Sequence, residues 1–193
     1  MNSDNLKKQK GISLIELLVA MSVFIIISGA VSGILISGIK GQRHTLASQR
    51  LLDQTSFAME YMSRALRLAK KGDDVCIGSN VNYEITNSGK GIKFINHLEQ
   101  DDCQEFCLGN GLSCDTNGEQ LMQVKNNPVG VLPLTSSKLK VDSLNFLLSG
   151  GSGPPDLLQP RVTISMRVQD KSQNQPSILV QTTVSQRNLD VAE

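Results

Sequence analysis

Hydrophobic and polar positions divide this chain into three stretches, of which the first is almost wholly apolar. From Ile12 to Ile39 every side chain is apolar or small and neutral, except that of Glu16. As a helix, this stretch would measure about 42 Å at ~1.5 Å per residue, whereas a bilayer core needs only about 20 residues. The pattern predicts a membrane-spanning helix. An ionised side chain inside a bilayer costs at least ~2.5–3.5 kcal/mol, so Glu16 requires a compensating partner.

The second stretch, residues 46–71, shows the apolar spacing of an amphipathic helix, with charged residues on the opposite face. Gly72 follows two lysines, which is typical of a helix end. We therefore predict one helix from about Ile12 to Lys71. The alternative is a membrane helix followed by a separate surface helix, with the break at Gly38 or Gly41. The predicted buried face comprises Leu51, Leu52, Thr55, Ala58, Met59, Met62, Ala65, Leu66 and Ala69.

After Gly72 the hydrophobic period becomes that of β-strands. The segment NYEITNSGKGIKFIN predicts a hairpin around an Asn-Ser-Gly turn. Further strands are predicted at VDSLNFLL, RVTISMRV and ILVQTTVSQ, and loops at SGGSGPP and QDKSQNQPS. Because tryptophan is absent and tyrosine and phenylalanine are few, we expect an aliphatic core. These patterns predict an α+β fold, in which a long N-terminal helix packs against a small antiparallel β-sheet domain.

Charge is nearly balanced over the whole chain but not at its start. The net charge of +1 argues against a nucleic-acid-binding domain, which would carry a basic surplus. Lys7, Lys8 and Lys10 precede the apolar stretch, and this positive flank predicts an N-terminus that stays in the cytoplasm. A secretory signal peptide cut after Ala30 is the competing interpretation, but the apolar stretch exceeds the ~7–15 residues of a signal-peptide core.

The segment KGISLIELLVA resembles the prepilin N-terminal motif of type IV pilins and of the pseudopilins of type II secretion. This resemblance implies that a membrane peptidase cleaves after Gly11, that Ile12 becomes the N-methylated N-terminus, and that Glu16 stands fifth in the mature chain. Ile12 departs from the phenylalanine or methionine that is commoner there. Inside a filament, Glu16 could pair with the new α-amine of a neighbouring subunit, so that two otherwise costly charges compensate each other.

The resemblance also implies a division of the chain and a function. Residues 1–11 would be the leader, 12–39 the transmembrane or filament-core half of the helix, 40–71 its amphipathic half and 72–193 the globular domain. The segments FAMEYMSRALRLA and LVQTTVSQRN loosely resemble minor pilins and J-type pseudopilins. We expect a subunit of a type IV pilus-like or type II secretion filament, a minor pilin or pseudopilin. The alternative is a single-pass membrane protein with an exported binding domain, which does not polymerise.

The partners and location follow from the same resemblance. The expected partners are the prepilin peptidase and methylase, other pilin or pseudopilin subunits, and an inner-membrane assembly platform. Before assembly the chain would lie in the cytoplasmic (inner) membrane, and afterwards it would lie in a filament outside the cytoplasm.

The four cysteines all lie on the side predicted to be translocated, where an oxidising compartment favours disulfides. Free thiols and a metal site are the alternatives, although the spacing fits no zinc template well. Cys103, Cys107 and Cys114 are expected in one loop, with Cys76 tied to that loop and the other two closing a small ring.

No residue pattern in the chain points to catalysis. DTNGEQ at residues 115–120 offers oxygen ligands, but its glycine is misplaced for an EF-hand calcium loop, and a polar turn is the simpler interpretation. His44 and His97 stand apart from any nucleophile motif. We therefore expect a structural protein rather than an enzyme, with no cofactor and no metal.

Overall fold

The computed structural model describes residues 11–72, 75–97, 102–111, 113–126, 129–150, 158–171 and 176–187. The chain comprises two compact units, Met1–Thr45 and Leu46–Glu193. The lysines of the basic flank lie outside the described residues, as do most of the loop predicted at residues 149–155 and part of the loop predicted at 169–177.

A single helix, α1, extends from Leu14 to Arg67. Gly38 and Gly41 both lie inside it, so the alternative of two separate helices is wrong. The helix ends about one turn earlier than predicted, because the chain turns at Leu68, whose N–H donates to the carbonyl of Ala65 at 3.1 Å. The next two residues then form a short strand.

The larger sheet has six strands. They are β1 (Ala69–Lys70), β2 (Glu84–Thr86), β3 (Gly91–Asn96), β4 (Asp102–Gly109), β5 (Gln120–Asn126) and β6 (Val129–Pro133). Their order is β1-β3-β4-β5-β6, with β2 also paired to β3. The predicted hairpin is confirmed as the antiparallel pair β2 and β3, and Asn87 and Ser88 of its turn have positive φ.

The smaller sheet has three antiparallel strands in the order β7-β8-β9. These are β7 (Leu139–Ser149), β8 (Arg161–Asp170) and β9 (Ser177–Ser185). All three were predicted from the sequence. The alternation along β8 is also confirmed, because every second side chain of the strand is buried: Val162, Ile164, Met166 and Val168.

The second part of α1 packs against the antiparallel sheets through one face, as predicted. Its buried residues are Leu51, Thr55, Ala58, Met59, Met62, Ala65 and Leu66. The prediction is wrong for Leu52, which is half exposed. The core is mainly aliphatic, as expected. It also contains two fully buried phenylalanines, Phe94 and Phe106, whose ring centroids lie 5.5 Å apart.

Three carbonyl groups at the end of α1 and just after it accept hydrogen bonds from later parts of the chain. The Tyr83 hydroxyl donates to Leu66 O at 2.6 Å, and the backbone N–H of Arg187 donates to Arg67 O at 2.8 Å. The Gln186 amide donates to Ala69 O at 2.8 Å. A helix end otherwise leaves such carbonyls without a partner, so these bonds fix where α1 stops.

The two sheets are joined next to β5. The N–H of Val141 donates to Glu119 O at 2.8 Å. The Glu119 carboxylate lies 3.0 Å from Lys171 Nζ and 3.5 Å from Lys140 Nζ. Glu119 therefore links the start of β5 to β7 and to the residue that follows β8.

Candidate functional site

The candidate site begins with the residues that precede α1. Gly11, Ile12 and Ser13 lie before the helix, and Glu16 is the acidic residue of its first turn. Ser13 O accepts hydrogen bonds from the N–H groups of Glu16 at 3.0 Å and Leu17 at 3.2 Å. Serine followed three residues later by glutamate is the spacing of a helix capping box, and a carboxylate is favourable at the positive end of a helix. Glu16 therefore supports the helix start.

Gly11 has room for a side chain among the described residues, because a Cβ atom added there would meet nothing within 4 Å of them. Packing within the described part of the chain therefore does not explain the glycine. Recognition of Gly11 by a peptidase remains an expectation from the prepilin resemblance.

The apolar stretch of α1 is exposed on all sides. Seventeen large apolar side chains between Ile12 and Ile39 are exposed, from 42% at Ile39 to 82% at Leu14. The helix is long and apolar enough to cross a membrane, and none of its most apolar window is buried. Since a large apolar side chain gains roughly 1.5–3 kcal/mol on leaving water, this stretch requires an apolar surrounding.

The small polar residues of the same stretch are compatible with that surrounding. Ser22 Oγ donates to Val19 O and Ser32 Oγ to Ser28 O, both at 2.8 Å. A hydroxyl that bonds to its own helix leaves no donor unsatisfied in lipid or in a protein core. Gly29 and Gly33 would have nothing within 4 Å of an added Cβ, so no close packing among the described residues explains them.

The cysteines form two disulfides, as the sequence predicted: Cys76 with Cys103 and Cys107 with Cys114. The expectation that three cysteines share one loop is wrong, because Cys103 and Cys107 lie in β4. They are four residues apart and therefore project from the same face of that strand. Among the described residues, one group of side chains has the spacing of a metal site: Glu105, Cys107 and Cys114. Because Cys107 and Cys114 form a disulfide, neither sulfur is a thiolate that could bind an ion.

The short disulfide closes a segment that folds back over β4. Gly109 pairs with Cys114 in an isolated β-bridge, and a Cβ added to Gly118 would lie 2.3 Å from Gly109 N. Within this segment Asp115 Oδ1 accepts a hydrogen bond from the N–H of Asn117 at 2.9 Å. The sequence DTNGEQ is thus an ordinary polar turn that leads into β5.

A groove on the second unit was not predicted from the sequence. It has a volume of about 710 Å³ and lies between α1 and the chain from β5 to β7. Asp53 and Phe57 line it from the helix, and Pro133 and Leu134 line it from the opposite side. Phe57 is 61% exposed. The one hint of this groove in the sequence is Phe57, four residues after Asp53, which is an apolar residue on an otherwise polar face of α1.

A comparison with known families supports the first part of this site. The family model for the prokaryotic N-terminal methylation motif matches residues 6–32. No curated protein and no solved structure matches the chain significantly. The match includes Gly11, Ile12 and Glu16 and more than half of the apolar stretch. The chain therefore combines a prepilin methylation motif with a long apolar helix, as type IV pilin-like proteins do, and it fits a membrane-anchored precursor of the pilin or pseudopilin type.

Proposed function

We propose that this chain is a structural subunit of a type IV pilus-like or type II secretion filament, a minor pilin or pseudopilin. The observation that carries the proposal is the coincidence of the methylation motif at residues 6–32 with a helix whose apolar side chains are exposed on all sides. Such a helix first requires lipid and can later exchange the lipid for the helices of neighbouring subunits. The matching motif is that of structural rather than catalytic proteins, which supports a role without enzyme activity.

In this proposal each part of the chain has one task. Residues 1–11 are a leader held in the cytoplasm, and 12–39 form the half of the helix that lies in the membrane and then in the filament core. Residues 40–71 are the amphipathic half, and 72–193 the globular domain outside the cytoplasm. The partners are the prepilin peptidase and methylase, an inner-membrane assembly platform and other pilin or pseudopilin subunits.

Two features of the helix support assembly through it. Gly29 and Gly33 have open space around them, and small residues four apart allow two helices to approach closely in an apolar medium. Glu16 is the one acidic residue in a stretch that would otherwise enter the filament core uncharged. Cleavage after Gly11 would supply the cation that it lacks, the α-amine of Ile12.

The test is the N-terminus of the mature chain. Mass spectrometry of protein from sheared filaments should find a chain that begins at N-methylated Ile12. Gly11→Val should block this cleavage, whereas Gly29→Val should not, although both glycines have room for a side chain in the structure. A chain that retains Met1, or one that begins at Val31, would exclude the filament function and favour a non-polymerising membrane protein or a signal peptide.

A further inference from the structure

The groove beside Phe57 has the composition of a docking site for a protein segment. Phe57 exposes an aromatic ring to it, and Pro133 and Leu134 provide an apolar wall opposite. The ring of Phe57 also stacks on Tyr61, with centroids 6.3 Å apart, which holds it in place. An exposed but immobilised aromatic side chain in a groove is typical of the residues that dominate binding at interfaces.

Asp53 gives the groove its charge. Its carboxylate is exposed, and it takes part in no ion pair among the residues that the structure describes. A segment that fills this groove would therefore bring a cation to Asp53 together with an apolar side chain for the ring of Phe57.

The same chain carries a segment with that chemistry. Between Glu16 and Asp53 the sequence contains no acidic residue. Residues 39–50, which we call the basic segment, contain three cations and two exposed apolar side chains. The cations are Lys40, Arg43 and Arg50, and the apolar side chains are Ile39 and Leu46, which are 42% and 51% exposed.

We propose that the groove receives the basic segment of a second copy of this chain. This proposal rests on the filament function, because it requires copies of the chain to lie side by side. Charge complementarity between Asp53 and the basic segment favours this occupant over an acidic or uncharged one. The residues that line the groove and those of the basic segment do not overlap, so the contact is heterologous. Every copy that fills a groove keeps its own groove free, and the contact can repeat along an open assembly.

The contact can be tested by photo-crosslinking in cells that assemble the filament. With p-benzoylphenylalanine in place of Phe57, irradiation should join two copies, and peptide mapping should place the bond within residues 39–50. The same residue analogue at Leu147, which is 69% exposed on β7, is the control and should not give this product. No product between two copies, a bond outside residues 39–50, or a bond to a different protein would each overturn the proposal.

A charge exchange tests the role of Asp53. In the chain that carries the crosslinker, Asp53→Arg should lower the yield of the product roughly fivefold, since it replaces an attraction by a repulsion. Replacing all three cations of the basic segment (Lys40, Arg43 and Arg50) by glutamate in the same chain should restore the yield, because each copy then carries a basic groove and an acidic segment. Glu84→Arg reverses an exposed charge on β2 and should have no effect. An unchanged yield with Asp53→Arg, or no recovery when the segment charges are also reversed, contradicts the proposed charge contact.

The N-terminus of every variant separates this inference from the filament function. A chain that is cleaved after Gly11 but gives no product between copies would overturn the groove contact alone. A chain that retains Met1 and still gives the product in the membrane fraction would overturn the filament function and support the contact.

Discussion

At the scale of single residues, Glu16 has a local role that is too weak to account for its position. A carboxylate in the first turn of a helix contributes about 0.3–1 kcal/mol. Placing that charge within an apolar medium costs at least ~2.5–3.5 kcal/mol. The cost of the buried charge exceeds the gain at the helix start, so Glu16 requires a further partner. We propose that this partner is the α-amine of Ile12 after cleavage behind Gly11.

Replacing Glu16 tests this partner. Glu16→Val should remain inserted in the membrane and be cleaved after Gly11, but it should be missing from sheared filaments. An α-amine left without its carboxylate in the core costs roughly 3–5 kcal/mol. Glu16→Asp should be intermediate, since the shorter side chain keeps the charge but misplaces it. Quantitative immunoblots of membrane and filament fractions provide the measurement, and wild-type recovery of Glu16→Val in filaments would rule out the pairing.

The Tyr83 hydroxyl is one of the groups that hold the end of α1, through its hydrogen bond to Leu66 O. Tyr83→Phe removes the donor to Leu66 O and should lower the free energy of unfolding by about 1–3 kcal/mol, because a buried carbonyl loses its partner. Tyr61→Phe is the matched control. Its hydroxyl donates to the Gln123 side chain at 3.0 Å in a partly buried site, so the loss should be smaller. The measurement is urea unfolding of the full chain in detergent, and equal losses for the two variants would contradict this ranking.

The pH dependence of Tyr83 gives a second measurement. Burial raises the pKa of Tyr83 above its ordinary value of 10.0. Above pH 10.0 this tyrosine ionises in the unfolded chain but not in the folded one, so stability is lost as the pH rises. The Tyr83→Phe variant should not show this part of the loss of stability at alkaline pH. An alkaline profile identical to that of the wild type would show that Tyr83 does not titrate in this way.

At the scale of elements, the sequence predicted those helices and strands whose apolar residues recur at a regular spacing. The period of α1 and the alternation of β8 are local patterns, so the helix, apart from its last turn, and the three strands of the smaller sheet were predicted correctly. Strand β4 was missed because almost all of its side chains are buried, which removes the alternation. Its polar Gln104 is buried and accepts a hydrogen bond from the Asn96 amide at 3.3 Å. A polar side chain buried by later strands leaves no signal in the local sequence.

The two disulfides should differ in what they contribute to stability. They span 27 and 7 positions, and the chain-entropy relation gives about 3.5 kcal/mol for the longer loop and about 2.4 kcal/mol for the shorter. Replacing Cys76 and Cys103 together by alanine should therefore lower the urea midpoint more than replacing Cys107 and Cys114. Non-reducing peptide maps of each variant should show the remaining disulfide intact. A larger loss for the shorter loop would contradict the ranking.

At the scale of the whole molecule, only the part of the candidate site formed by neighbouring residues in the sequence could be predicted. The methylation motif could be found because its residues are adjacent in the sequence, as a peptidase that reads a short peptide requires. The groove could not be found in this way. Its two walls come from α1 and from Pro133 and Leu134, and only the packing of the helix on the larger sheet brings Phe57 close to them.

Glu119 provides a test of the contact between the sheets. Its pKa is lowered, mainly by the hydrogen bond from Lys171 and also by the charges of Lys171 and Lys140. Because the folded pKa lies below the ordinary value of 4.5, this contact stabilises the fold above that pH. The stabilisation is lost as the pH falls through the folded pKa.

The variant Glu119→Gln should therefore be slightly less stable than the wild type near neutral pH, and the difference should vanish in acid or in high salt, which screens exposed pairs. The measurement is urea unfolding of both chains over a pH series, with Glu84→Gln on β2 as the control. A difference that persists unchanged in acid would show that the Glu119 carboxylate does not carry the effect.

The closure of the end of α1 also has a consequence for the order in which the chain folds. The amide that holds Ala69 O comes from Gln186, 117 positions further along the chain, and the N–H that holds Arg67 O comes from the next residue, Arg187. Helical contacts are local and form early, whereas contacts between distant positions form slowly and only when both partners are available. In a chain synthesised from its N-terminus, α1 can therefore be complete while its final carbonyls remain open. The last β-strand and the two residues after it then close the fold.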